Sequence, residues 1–198
     1  MNDKHPTYNS LHSSREKILW TVIIPQMILL TISTLWIYFD SKNYVLQYLK
    51  KFNIKIFACA VITGVILAFL GYGFYKWMKK AKKCQGIVEL FEDVLSPAFS
   101  NLQPRDIVIL SMVSGFSEEI FFRGLLFTHF GIIVSSLAFG ILHMPGFKFW
   151  IYAVWAALSG VLFCFFLSLS GSLWLPIIAH IINNMIGMFI LQKVKNSI

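Results

Sequence analysis

From Ile18 to about Phe39 the chain is apolar and carries no charge, and predominantly apolar stretches follow at about 54–78, 107–127, 130–144, 149–169 and 172–192. A helix needs roughly 20 apolar residues to cross the hydrocarbon core of a bilayer, and backbone in lipid must satisfy its hydrogen bonds internally. The stretches therefore predict an all-α fold, a polytopic transmembrane helical bundle of about six spans, with no repeat and no extramembrane domain. Composition agrees, because 57% hydrophobic against 13% charged residues, with a mean hydropathy of +0.70, is more apolar surface than a soluble domain of 198 residues can hide.

The first 17 residues are polar and the apolar run after them shows no small-residue cleavage motif, so the first span is expected to be retained rather than removed as a signal peptide. Between the second and third spans lies CQGIVELFEDVLSPAFSNLQPRD, too polar to span. Its Ile87, Leu90, Phe91, Val94 and Leu95 recur at helical spacing, which predicts one amphipathic helix on the membrane surface, stopped near Pro97. The chain then divides into an N-terminal segment with two spans, residues 1–83, and a core, residues 84–198, with the amphipathic helix and four spans.

The formal charge of +8 does not point to nucleic acid, since most of the basic residues flank spans. Charge at helix ends in a membrane protein reads as topology. Lysines at 76, 79, 80, 82 and 83 place their loop in the cytoplasm, and both termini follow. Lys4, Arg15, Lys17, Arg105, Lys148, Lys193 and Lys195 then bring the inside total to twelve, against Lys42, Lys50, Lys51 and Lys55 outside. Cys59, Cys84 and Cys164 have no metal-ligand spacing and are read as reduced packing residues.

The run SEEIFFRGLL sets Glu118, Glu119 and Arg123 inside an apolar span. Ionisable groups at bilayer depth cost several kcal/mol, about 3 on insertion scales, and mark functional interiors. Further polar groups recur in the later spans: His143 in FGILHMPG, and His180 with Asn184 in HIINNMIG. At the helical rise, Glu118, His143, His180 and Asn184 fall about 13, 20, 12 and 18 Å below the outer end of their spans, within one slab of the bilayer. His180 and Asn184 are i,i+4 and share a helix face, as do Phe139 and His143. Glu119 and Arg123 are also i,i+4 and can neutralise each other, which assigns them structural support and leaves Glu118 for chemistry. A carboxylate, two imidazoles and a carboxamide suggest water activation, with Glu118 as general base, a histidine helping to polarise the water, and the remaining groups stabilising an oxyanion. The plainer alternative is a set of helix-packing hydrogen bonds.

Glu118-Glu119-Ile-Phe-Phe-Arg123, Phe139-Gly-Ile-Leu-His143 and His180-Ile-Ile-Asn183-Asn184 follow one another on successive spans. In this the chain resembles the CPBP intramembrane proteases, also called the Abi or CAAX-protease group, related to the prenyl-protein endopeptidase Rce1. The resemblance covers about residues 85 to 195. It implies a glutamic-type protease in which Glu118 and His143 activate the water while His180 and Asn184 hold the oxyanion, with Phe139 in support. It also implies a peptide or membrane-protein substrate and, for so short a chain, a multi-pass protein of the bacterial plasma membrane acting on a peptide pheromone, a bacteriocin precursor or a membrane protein. Members of the family are linked to bacteriocin self-immunity, so an immunity or scaffold protein is the rival reading. A transporter relaying protons through Glu118 and the histidines is the second rival.

No cofactor is required by this chemistry. Glu118, His143 and His180 would nevertheless make a two-His, one-Glu zinc set. H-E-x-x-H is absent, and from Phe130 to Ile198 there is no Asp or Glu, so an acidic partner for a metal-bound histidine exists only in the 118–119 pair. A water activated by glutamate without metal is the expectation.

Overall fold

The computed structural model describes residues 8–82 and 85–194, with side chains from Arg15 onward. Lys4, Lys83, Cys84 and Lys195, and with them the expected boundary at 83/84, lie outside the described residues. Among the described residues there is no strand. Helix α1 is Tyr8–Phe39, α2 is Tyr44–Leu49 and α3 is Ile54–Lys80. Residues 85–99 form α4, Trp150–Ser170 is α7 and Trp174–Val194 is α8. Between α4 and α7 runs Pro104–Leu142, helical except at Gly131 (φ 82°, ψ 179°).

That single residue changes the count of crossings. Among the described residues five helices are long and apolar enough to cross a membrane, and Pro104–Leu142 is one of them. It does not run straight: Ser135 Oγ donates to the Phe122 carbonyl at 2.7 Å and the Phe122 and Phe139 rings meet edge to face at 5.0 Å. Residues so far apart in sequence touch only if the chain reverses, so residues 104–130 (α5) and 132–142 (α6) form a hairpin hinged on Gly131. The expected fourth span, 130–144, is thus only half a crossing. Eleven helical residues cover about 16 Å, against roughly 30 Å of hydrocarbon. Met144-Pro145-Gly146 ends the helix, and the path is completed by a bend and the short turn Phe147–Phe149. Irregular backbone at this depth is tolerated where it faces protein or a cavity.

Helix α4 also departs from expectation. It passes Pro97 and ends at Phe99, with a wide π-type turn over Leu90–Leu95 just ahead of the proline. We attribute the passage to that turn, which relaxes the regular i−4 geometry with which a proline ring clashes. Its apolar face is not spread on lipid: Ile87 and Leu90 are buried against the spans, and Glu89 is paired with Lys148 in the short turn that precedes α7.

Packing of the spans follows the rules of membrane bundles. Ala60, Gly64 and Ala68 form a small-residue stripe on α3, buried against α8, where a Cβ on Gly64 would come within 2.6 Å of the Ala179 carbonyl. Large apolar side chains point outward instead, including Ile24, Ile28 and Leu35 of α1 and Phe69 of α3, each more than half exposed in the middle of a long helix. Those faces suit lipid. The α1–α3 connection caps the end of the bundle away from the lysine cluster: Trp174 Nε1 donates to the Leu49 carbonyl at 2.7 Å, Ser172 Oγ bonds the Lys51 carbonyl, and Val45 packs with Leu125, Leu167, Leu173 and Ile177.

Candidate active site

Glu118 and Glu119 stand at the end of the regular part of α5, where a π-type turn over Ile120–Phe127 begins. Such turns occur mostly as local insertions near functional sites. Close approach of α8 completes the placement, because a Cβ on Gly115, one turn earlier, would fall 2.6 Å from Ile181 Cγ1. His180, the neighbour of Ile181, is thereby brought against both glutamates.

Glu118 is 5% exposed. Its Oε1 accepts from Gln26 Nε2 at 2.7 Å, while Oε2 has no hydrogen-bond partner among the described residues. Facing Oε2 are His143 Nε2 at 3.4 Å and His180 Nε2 at 3.8 Å. The other ring nitrogens are committed: His143 Nδ1 contacts the Phe139 carbonyl at 2.8 Å and His180 Nδ1 contacts Glu119 Oε1 at 2.7 Å. A carbonyl oxygen can only accept, so His143 carries its proton on Nδ1. Glu119 Oε1 also accepts from Arg123 Nη1 at 2.9 Å, so the contact with His180 is filled by the ring N–H. In their neutral forms both histidines then turn Nε2 lone pairs toward Glu118 Oε2. Three acceptors converge, and what fits between them is a donor of two protons.

Arg123 and Glu119 are completely buried and paired. The guanidinium is centred 4.2 Å from the Phe139 ring and 5.0 Å from that of Phe163. Phe163 in turn stacks on His180 at 5.3 Å, and Phe139 lies 4.2 Å from the His143 ring. Arg123, Phe139 and Phe163 are therefore one aromatic and cationic block that fixes both imidazoles.

Asn184 lies one turn beyond His180, and its Nδ2 donates to Ser114 Oγ at 3.1 Å while its Oδ1 accepts from Asn183. It is not in the group around Glu118 Oε2, but it lines the same cavity. That cavity, about 260 Å³, has His143, His180, Asn183 and Asn184 at its polar end and is otherwise walled by apolar and aromatic side chains such as Tyr72, Phe91 and Trp155. Glu118 sits behind His143, which is the more exposed of the two histidines. At the mouth, Tyr75 and Lys79 of α3 bond Glu92 of α4 at 2.5 and 2.6 Å. The Lys79 contact, followed by that of Tyr75, holds the Glu92 carboxyl below the usual carboxylate range.

Sequence reasoning passed over Gln26, Ser114 and Ser117. Gln26 was detectable in principle as an amide inside an apolar span. The serines were not, since a hydroxyl in a transmembrane helix can bond its own backbone and signals little.

Zinc calls for a closer look, because both Nδ1 atoms have the partners, a carbonyl and a carboxylate, that support a metal-bound imidazole as well as a free one. The single pair of acids that the sequence left available thus reaches His180. Among the described residues, however, no group of three or more His, Cys, Asp or Glu is arranged to hold a metal ion.

Comparison with known proteins bears on the same region. The uncharacterized protein YpbD of Bacillus subtilis (strain 168) is 26% identical over 147 residues, which span 73% of this chain and 74% of that protein. None of the solved structures matches the chain significantly. Residues 101–186, which include Glu118, Glu119, Arg123, Phe139, His143, His180 and Asn184, match the family model described as Type II CAAX prenyl endopeptidase Rce1-like, so the part of the chain that carries the site is similar to that family.

Proposed function

We propose that this integral membrane protein is an endopeptidase that hydrolyses peptide bonds of membrane-associated peptides or proteins, without a cofactor, at the Glu118–His143–His180 group. The observation that carries the reading is Glu118 Oε2, without a hydrogen-bond partner among the described residues, facing His143 Nε2 at 3.4 Å and His180 Nε2 at 3.8 Å, the two histidines that line the polar end of an apolar cavity. A water held there gives one proton to Glu118 while His143 orients the other, and the resulting hydroxide attacks the scissile carbonyl. Glu118 then passes that proton to His180 Nε2, 3.8 Å from its Oε2, and His180 donates it to the oxyanion before it leaves with the amine when the C–N bond breaks. Asn184 Nδ2 has a second N–H beyond the one given to Ser114, suited to the same oxyanion. The cavity opens toward the end of α3 that bears Lys76, Lys79 and Lys80, so a substrate enters from the cytoplasmic side of a bacterial plasma membrane, where both termini also lie.

Glu118→Gln tests this directly, since the amide keeps the shape and cannot accept a proton. Membrane proteomics of otherwise identical cells should show full-length substrates accumulating with Glu118→Gln and their fragments only with the wild type, at equal expression and thermal stability. Unchanged fragment levels would remove Glu118 as the base.

A further inference from the structure

The first span supplies a residue to this site. Gln26 lies on α1, outside the residues matched by the family, and is 9% exposed. Its Nε2 donates to Glu118 Oε1 at 2.7 Å, and its Oε1 accepts from Ser117 Oγ at 2.6 Å. An amide carried by an apolar helix is costly in lipid unless it is satisfied, and here both ends are. Holding Oε1 has a geometric consequence: it fixes the plane of the carboxylate so that Oε2 is the oxygen aimed at His143 and His180.

Ser117 adds a second setting. Its hydroxyl is 2.8 Å from the Val113 carbonyl as well as 2.6 Å from Gln26 Oε1, and it has one proton to give. When that proton goes to Gln26, the amide N–H faces Glu118, which suits the carboxylate. When it goes to Val113, Ser117 Oγ accepts from a turned Gln26 amide, whose carbonyl then accepts the proton of a protonated Glu118. A general base must pass through both states in each turnover.

We propose that Gln26, oriented by Ser117, is a positioning residue that holds Glu118 in register with the histidines and turns its amide to match the protonation state of the glutamate. The idea rests on the protease reading for its catalytic meaning but not for its geometry, and the test separates the two. Infrared difference spectra of the purified full chain in detergent, wild type against Glu118→Gln, isolate the carboxyl band of Glu118 with no substrate present. In Gln26→Leu that band should move, and in Ser117→Ala, which keeps the amide and removes only its anchor, it should move less. With fluorescein-labelled casein in micelles as the probe, Gln26→Leu should lower kcat by about tenfold or more with KM unchanged, the scale expected for one lost hydrogen bond to a charged group. An unmoved band overturns the proposal whether or not casein is cleaved, and so does an effect on KM alone. Casein turnover that persists in Glu118→Gln would instead remove Glu118 as the base of the proposed protease and leave the spectral result to decide on Gln26.

Discussion

At the scale of single residues, the two adjacent glutamates are separated by what each faces. Glu118 looks toward Gln26 and the histidine Nε2 atoms, whereas Glu119 binds Arg123 and His180 Nδ1. Removing one partner of a buried ion pair leaves an uncompensated charge, which costs about 3 kcal/mol or more. Glu119→Gln should therefore lower the thermal midpoint of the detergent-purified protein by several degrees, and Glu119→Gln combined with Arg123→Met should recover part of the loss, because no charge is then left unpaired. A midpoint equal to that of the wild type in the single variant would show that the pair does not support the fold.

At the scale of elements, the site depends on how closely α5 and α8 approach. The contact at Gly115 leaves no room for a side chain, with the Ile181 backbone nitrogen 3.0 Å from a Cβ and the Ile181 side chain closer still. Gly115→Val should force the helices apart, separate Glu118 from His180 and abolish Glu118-dependent cleavage, while a β-branched residue does not prevent helix formation in α5. Full cleavage by Gly115→Val would mean that the approach of these helices is not what assembles the site. Gly131 works differently, since its φ of 82° and ψ of 179° belong to a region that side chains scarcely adopt, and open space surrounds it. There the backbone, not packing, requires glycine, and the α5–α6 hairpin depends on it.

For the whole molecule the open chemical question is metal. The convergence of Glu118, His143 and His180 would admit a cation by its donor types, and the Nδ1 partners would support one. We expect the protein to act without it: cleavage should survive exhaustive chelation, and elemental analysis of the purified chain should find zinc far below one atom per molecule. Stoichiometric zinc, with activity lost to chelator and restored by the metal, would make the same three residues ligands and exclude the glutamic mechanism.

Much of this was legible along the chain. Apolar runs of bilayer length can only be helices in lipid, so the helical bundle follows from local physics. The i,i+4 relation of Glu119 to Arg123 is likewise a property of one helix and appears unchanged in the fold. The tertiary structure decided what depends on helices meeting: that α5 and α6 are a hairpin on Gly131, that Pro97 does not end α4, that His180 is bound to Glu119, and that Gln26 from the first span reaches Glu118. Periodicity places a side chain on a face of its own helix, whereas the partner of that face is set by which small residues allow which helices to touch. A polar group at depth announces that a partner exists, and only the packing of the other helices says which one it is.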